Sequence, residues 1–178
     1  LAGMTGTFHQ SIRTNISLLN NMTIEYKGHR LVLSTLWSQV SLMNAWRVEK
    51  SLNDFYQITL NGKRFTVPDY NDLHKKCVLF LCDELAQDFS GKTVVLTHHV
   101  PTFQYYPPEY KSDFLNEAFA TDLDELILKT KPDYWIYGHH HRNIPQFKIG
   151  QTTLITNQLG YVQRDEHYRF NQACHIEL

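Results

Sequence analysis

The sequence predicts an α/β (α+β) fold in a single domain spanning residues 1–178, and three observations predict it. First, two stretches read as buried strands. Thr93–Val94–Val95–Leu96–Thr97 is largely β-branched and follows Ser90–Gly91–Lys92, and Trp135–Ile136–Tyr137 follows the breaker Lys131–Pro132–Asp133. Short apolar runs bounded by turn residues suit strands covered on both faces. Second, a helical stripe precedes each strand. Leu73, Cys77, Phe80, Leu81 and Leu85 come before the first; Leu115, Phe119, Leu123, Leu126 and Ile127 come before the second. Third, both strands run into histidines, His98–His99 and His139–His140–His141. Ligands of open α/β sheets gather at the carboxyl ends of strands.

The remaining elements follow in chain order. Leu1 to Arg13 has little periodicity and reads as irregular, or as a fragment of a broken element. Met22–Tyr26, the turn Lys27–Gly28–His29 and Arg30–Leu36 read as a β-hairpin. Trp37, just after it, suits the floor of a cleft or a packed rim. Leu42, Trp46, Leu52 and Phe55 give a loose helical stripe, and Asn61–Gly62 marks a loop or short hairpin. Val67–Pro68–Asp69 opens a longer helix, with Asp69 as its cap and Asp72 in the capping-box position. His74 lies off the apolar stripe of that helix and is expected to be exposed.

Pro101 to Asp113 is a long aromatic segment without periodicity, and it leaves directly from His98–His99. Such loops in compact domains are often functional, so it reads as a lid or specificity loop. Thr121–Asp122–Leu123–Asp124 reads as a capping box inside the following stripe or at a new helix start. Ile144–Lys148 and Thr152–Thr156 flank Ile149–Gly150 as an antiparallel pair, and Ala173–Leu178 reads as a short closing strand.

Composition narrows the function classes. A chain of 178 residues can bury a sizeable core. Its net charge of −1, with Lys and Arg scattered, argues against a nucleic-acid or anionic-membrane surface as the main partner. No run approaches the ~18 apolar residues of a membrane span. The three cysteines lack metal-type spacing, and Cys77 and Cys82 fall in a helical pattern as reduced core residues. That usage favours a reducing, cytoplasmic compartment. The sequons at Asn15 and Asn21 carry no weight without another sign of secretion.

The histidines carry the chemistry. Gly138 is expected to allow a backbone turn that a side chain would forbid. His139 and His141, two apart in an extended segment, project to one side, and two imidazoles at a strand tip make half a metal site. A histidine run on a loop is, taken alone, ordinary solvated surface. The second histidine-tipped strand changes that reading, because neighbouring strands would bring His98, His139 and His141 together. Neutral imidazoles suit Zn, Mn, Fe, Co or Ni. His29, His167 and His175 have no partner motif and read as ordinary.

Thr97–His98–His99–Val100–Pro101 followed by Gly138–His139–His140–His141 resembles the last two motifs of the calcineurin-like metallophosphoesterases. Ser34–Thr35–Leu36–Trp37, the segment Tyr106 to Leu126 and Asn157–Gln158–Leu159–Gly160–Tyr161 resemble the small bacterial-type branch of that family. The likeness runs from about Ile16 to the end. The family's opening motifs, Asp-x-His, Gly-Asp and Gly-Asn-His, have no match here; His9 follows Phe8 and Gly6–Thr7 instead. The chain therefore resembles the C-terminal two thirds of such an enzyme, with Met4 readable as a start and Leu1–Gly3 as a cloning scar.

The resemblance implies a β-sandwich flanked by helices, incomplete at the N-terminus, and two divalent metal ions (Mn, Fe, Zn, Co or Ni) about 3.5–4 Å apart. It implies that His98 and His139 ligate the second metal and His141 the first. It further implies hydrolysis of a phosphate mono- or diester, with His99, Asn157 and Tyr161 near substrate and His140 outside the ligand set. The catalytic general-acid His of the family has no counterpart, so this segment alone is expected to be inactive. Two other readings stay open: a non-catalytic scaffold for protein contact, and a hydrolase using one zinc on His98, His139 and His141. The expected partner is a small-molecule phosphate ester; oligomeric state is not legible.

Overall fold

The computed structural model describes residues 6–178. Its centre is one six-stranded sheet ordered β3(Met22–Tyr26), β4(His29–Ser34), β7(Thr93–Thr97), β8(Tyr134–Tyr137), β10(Thr152–Thr156), β9(Phe147–Ile149). The four inner strands run parallel, and the two edge strands pair antiparallel. The mixed α/β class follows from the β-branched runs and from the crossovers that parallel neighbours require. Helix α3(Val67–Leu85) lies in the first crossover and α4(Asp124–Thr130) in the second.

Register explains the core. Val32 pairs with Val95, Val95 with Trp135 and Trp135 with Leu154, so one row of side chains crosses all four parallel strands. All four are fully buried, and Leu81 and Leu85 of α3 join the same cluster. The Trp135 indole N–H donates to Thr97 Oγ1 at 3.0 Å, which satisfies its one buried polar group. The opposite row, Leu33, Leu96, Ile136 and Ile155, is only half-buried. Expectation and structure differ here: these strands are covered on one face and partly open on the other. Among the described residues no second large sheet faces the first, since the other strands form two hairpins, β1(Phe8–Arg13)–β2(Ile16–Asn20) and β5(Thr59–Leu60)–β6(Lys63–Arg64).

Several local expectations change. The stretch expected to be irregular contains β1, a strand whose side chains are mostly exposed and which therefore lacks an apolar signature; Leu1 to Thr5 lie outside the described residues. The single helical stripe over Ser41–Phe55 is two short helices, α1(Ala45–Ser51) and α2(Asp54–Gln57), with Val48 and Phe55 buried while Leu42 and Trp46 face solvent. His74 is buried, its Nδ1 3.3 Å from both the Leu36 and Trp37 carbonyls. Burial lowers its pKa.

The Leu115–Ile127 stripe is a 3-10 turn over Phe114–Ala118 followed by α4, whose N-cap Leu123 makes no side-chain cap bond. The tail Ala173–Leu178 forms no strand. In the first of these cases the apolar positions serve two elements with different axes, which a single period cannot describe.

Helix α3 is capped one turn earlier than expected. Thr66 is the N-cap: its Oγ1 accepts from Asp69 N, and the Asp69 carboxylate accepts from Thr66 N at 3.0 Å. This reciprocal pair is the capping box, and Asp72 takes no part. Thr66→Ala should therefore cost about 1 kcal/mol in denaturant unfolding. Asp72→Ala should stay within about 0.5 kcal/mol; the reverse order would refute the assignment.

Candidate functional site

The carboxyl ends of β4, β7, β8 and β10 lie along one side of the sheet because those strands are parallel. The segments beyond them are Thr35–Trp37, His98–Pro101, Gly138–Arg142 and Asn157–Tyr161. Gly138 N donates to the His98 carbonyl at 3.1 Å and ties the two histidine tips together. A cleft of about 540 Å³ opens there, and His98, His139, His140 and His141 all line it.

The convergence does not arise as the alternation argument supposed. His139 and His141 have φ of +76° and +52°, so the chain turns through left-handed positions instead of staying extended. Gly138 is not among the positive-φ glycines, and a Cβ there would meet its nearest neighbour, His98 O, at an ordinary 3.6 Å. The backbone strain expected of the glycine is carried by the two histidines. Non-glycine residues in such conformations cost about 1–3 kcal/mol each and concentrate at functional sites.

The ring geometry is close. The centroids of His98 and His139 are 4.5 Å apart, and Phe119 stacks on His139 at 4.4 Å. Burial, then the neighbouring His98, holds His139 down to about 3. Burial likewise lowers His98, followed by the charge of His141. By accessible area His98 is exposed; area is the direct measure of contact with water, so its ring counts as open to the cleft. Both imidazoles are neutral at pH 7, the form that ligates metals.

His99 is displaced from its expected role. It is 3% exposed, does not line the cleft, and contacts Ser38 Oγ at 2.9 Å through Nδ1 beneath Trp37. It therefore fixes the loop end and not a substrate. Asn157 donates to Asn171 O and accepts from Asn171 N, holding the C-terminal segment instead of lining the cleft. Tyr161 does line it, with its ring 4.8 Å from His141. His140, expected outside the ligand set, is buried and contacts Arg142 N and Gln158 Nε2 through Nδ1. Burial and then the His141 charge bring it down to about 4.

Carboxylates also line the cleft: Asp54 from α2, Asp113 from the aromatic loop, and Glu166 from beyond β10. No sequence motif marks any of them. Glu166 Oε2 lies 2.8 Å from His141 Nδ1 and accepts from Tyr161 N at 2.7 Å. Burial by itself would raise the Glu166 carboxyl, but these donors outweigh it and the net shift is downward. The aromatic loop supplies Tyr106 and Tyr110 to the wall and is pinned by Arg142–Glu109 at 3.1 Å.

Among the described residues no three His, Cys, Asp or Glu side chains stand together as a ready-made ligand set. The donor chemistry nevertheless fits one ion. Imidazole nitrogens bind at 2.0–2.1 Å, which puts an ion about 3 Å from a ring centre, so rings 4.5 Å apart can share one. A second dication would need carboxylate charge beyond these neutral rings.

The chain is similar to "Uncharacterized protein L509" of Acanthamoeba polyphaga mimivirus, 31% identical over 175 residues, covering 92% of this chain and 61% of the relative. It thus spans about three fifths of the relative's length. No family model matches the chain, and no solved structure matches it. No helix among the described residues is long and apolar enough to cross a membrane.

Proposed function

We propose that this chain forms the histidine-bearing part of a metal-dependent phosphoesterase of the calcineurin-like type. The observation that carries the reading is the meeting of His98, His139 and His141 in one cleft from the tips of two adjacent parallel strands. The half-buried row Leu33–Leu96–Ile136–Ile155 supports a second sheet on that face, as the sandwich of that family requires.

In this reading His98 and His139 hold one ion and His141 helps hold another. Metals bound there would supply Lewis-acid chemistry, activating water and offsetting phosphate charge. Every other contribution comes from this chain's own side chains. Phe119 fixes the His139 ring by stacking, and the Glu166 carboxylate engages His141 Nδ1. Tyr106 and Tyr110 close one wall and reduce access of bulk water. The aromatic lining suits an ester whose leaving group carries a ring or apolar moiety.

The Asp-x-His and Gly-Asn-His motifs, which have no match in this sequence, would supply the carboxylates and the further histidine of such a site, so we propose activity for a polypeptide that carries them. With Mn²⁺ this chain alone should hydrolyse p-nitrophenyl phosphate esters only at background rate, whereas a longer polypeptide carrying those motifs should turn over. Robust turnover by the chain alone would refute the dependence on them, and an inactive longer polypeptide would refute the phosphoesterase itself. A second reading, a non-catalytic scaffold for protein contact, is supported by the same unmatched Asp-x-His, Gly-Asp and Gly-Asn-His motifs. Elemental analysis of the longer polypeptide separates them: two metals per chain for the enzyme, one for a single-zinc hydrolase, none for the scaffold.

A further inference from the structure

We infer that Glu166 is a positioning residue for His141: its carboxylate accepts a hydrogen bond from Nδ1–H, which keeps the proton on Nδ1 and leaves the Nε2 lone pair free for a metal. The inference rests on the phosphoesterase reading above and concerns a residue that no motif of that reading includes. The Nδ1–Oε2 distance is 2.8 Å, and a carboxylate has no proton to donate, so the imidazole must be the donor. A neutral imidazole carrying its proton on Nδ1 is an acceptor only at Nε2. Metal-bound histidines commonly use their other nitrogen in this way, which fixes both tautomer and ring orientation.

The chain has built the contact. Glu166 is 25 residues beyond His141 and is brought back by the turn after Leu159. Its Oε2 also accepts the Tyr161 backbone N–H at 2.7 Å, so the carboxylate is held from two directions. Gly160 makes the approach possible. Its φ is +61°, and a Cβ there would lie 2.6 Å from Glu166 Cβ, 2.9 Å from Oε2 and 3.3 Å from His141 Cβ. No side chain fits without moving the carboxylate or the imidazole. Tyr161, edge-on to the His141 ring at 4.8 Å, closes the remaining side.

Long-range ¹H–¹⁵N spectra of the His141 ring in this chain test the inference without any turnover. The parent should show a protonated Nδ1 and a bare Nε2. Glu166→Ala should shift the proton toward Nε2, and Gly160→Ala should do the same by displacing an intact glutamate. Glu166→Gln, which keeps an acceptor, should retain the parental tautomer. Zn²⁺ titration of the same resonances in the longer polypeptide that carries the missing motifs should show a 10–100-fold loss of affinity in Glu166→Ala and a smaller loss in Glu166→Gln. An Nε2–H tautomer in the parent, or an unchanged tautomer in Glu166→Ala, would overturn the inference. A parental tautomer as expected with no Zn²⁺ binding at any concentration would overturn the metal reading beneath it instead.

Discussion

Replacing His139 by alanine in a longer polypeptide active with Mn²⁺ should lower kcat/KM by about 10³-fold or more. His139 sits where the two strand tips meet, with its ring 4.5 Å from His98 and stacked on Phe119. On the proposed reading, removing it would take one donor from an ion that His98 alone could not hold. Metal charge stabilisation of a phosphoryl transition state is worth several kcal/mol, and about 4 kcal/mol corresponds to the stated factor. His140→Gln is the matched control: His140 lines the same cleft but spends Nδ1 on Arg142 N and Gln158 Nε2. It should cost less than about tenfold. Steady-state rates with saturating Mn²⁺, together with circular dichroism to show that both variants fold, decide it. Retention of a tenth of parental activity by the His139 variant would end the ligand assignment.

The parts of this site legible in the sequence were those whose signal is local. Thr93–Thr97 and Trp135–Tyr137 announce themselves by β-branched and aromatic runs between turn residues, and His98, His139, His140 and His141 beyond them line one cleft. Parallel neighbours then align their carboxyl ends by hydrogen bonding, with no further information needed. What was not legible depends on contacts between distant segments. Glu166 and Asp54 reach the cleft from beyond β10 and from α2, in sequence surroundings with no motif.

The errors share that cause. His74 falls off the apolar stripe of α3, yet two carbonyls from Leu36 and Trp37 meet it. Those two residues have φ of +69° and +50°, a turn that no glycine advertises. His139 and His141 are likewise left-handed without glycine's help, so they reach one cleft through turns and not through the alternation of an extended strand. β1 was missed because an exposed strand carries polar side chains on both faces and shows no period.

Acid should unfold the metal-free chain well above the pH at which carboxylates alone would do so. His139 and His140 are held down to about 3 and about 4, both chiefly by burial, against an ordinary histidine value of 6.5. His99, also buried, is pushed in the same direction for the same reason. As pH falls below about 6.5 the unfolded chain takes up these protons while the folded chain refuses them. The unfolded state therefore binds more protons, and stability falls with pH until the folded values are reached. Above about 6.5 the groups are neutral in both states and the contribution is complete.

Each group contributes about 1.4 kcal/mol per pH unit inside that window. Between pH 6.5 and 4.5, His139 and His140 together set an upper limit on the order of 5 kcal/mol, which partial exposure of His139 reduces. That is comparable to the whole stability of many domains. Urea unfolding followed by circular dichroism from pH 7.5 to 4.5 should show a steep loss beginning near 6.5. His140→Gln should flatten the slope by about one proton, because one of the refused protons is gone. A stability that stays level down to pH 4.5 would mean that these imidazoles are not buried as neutral rings, and the closely packed histidine cleft would have to be redrawn.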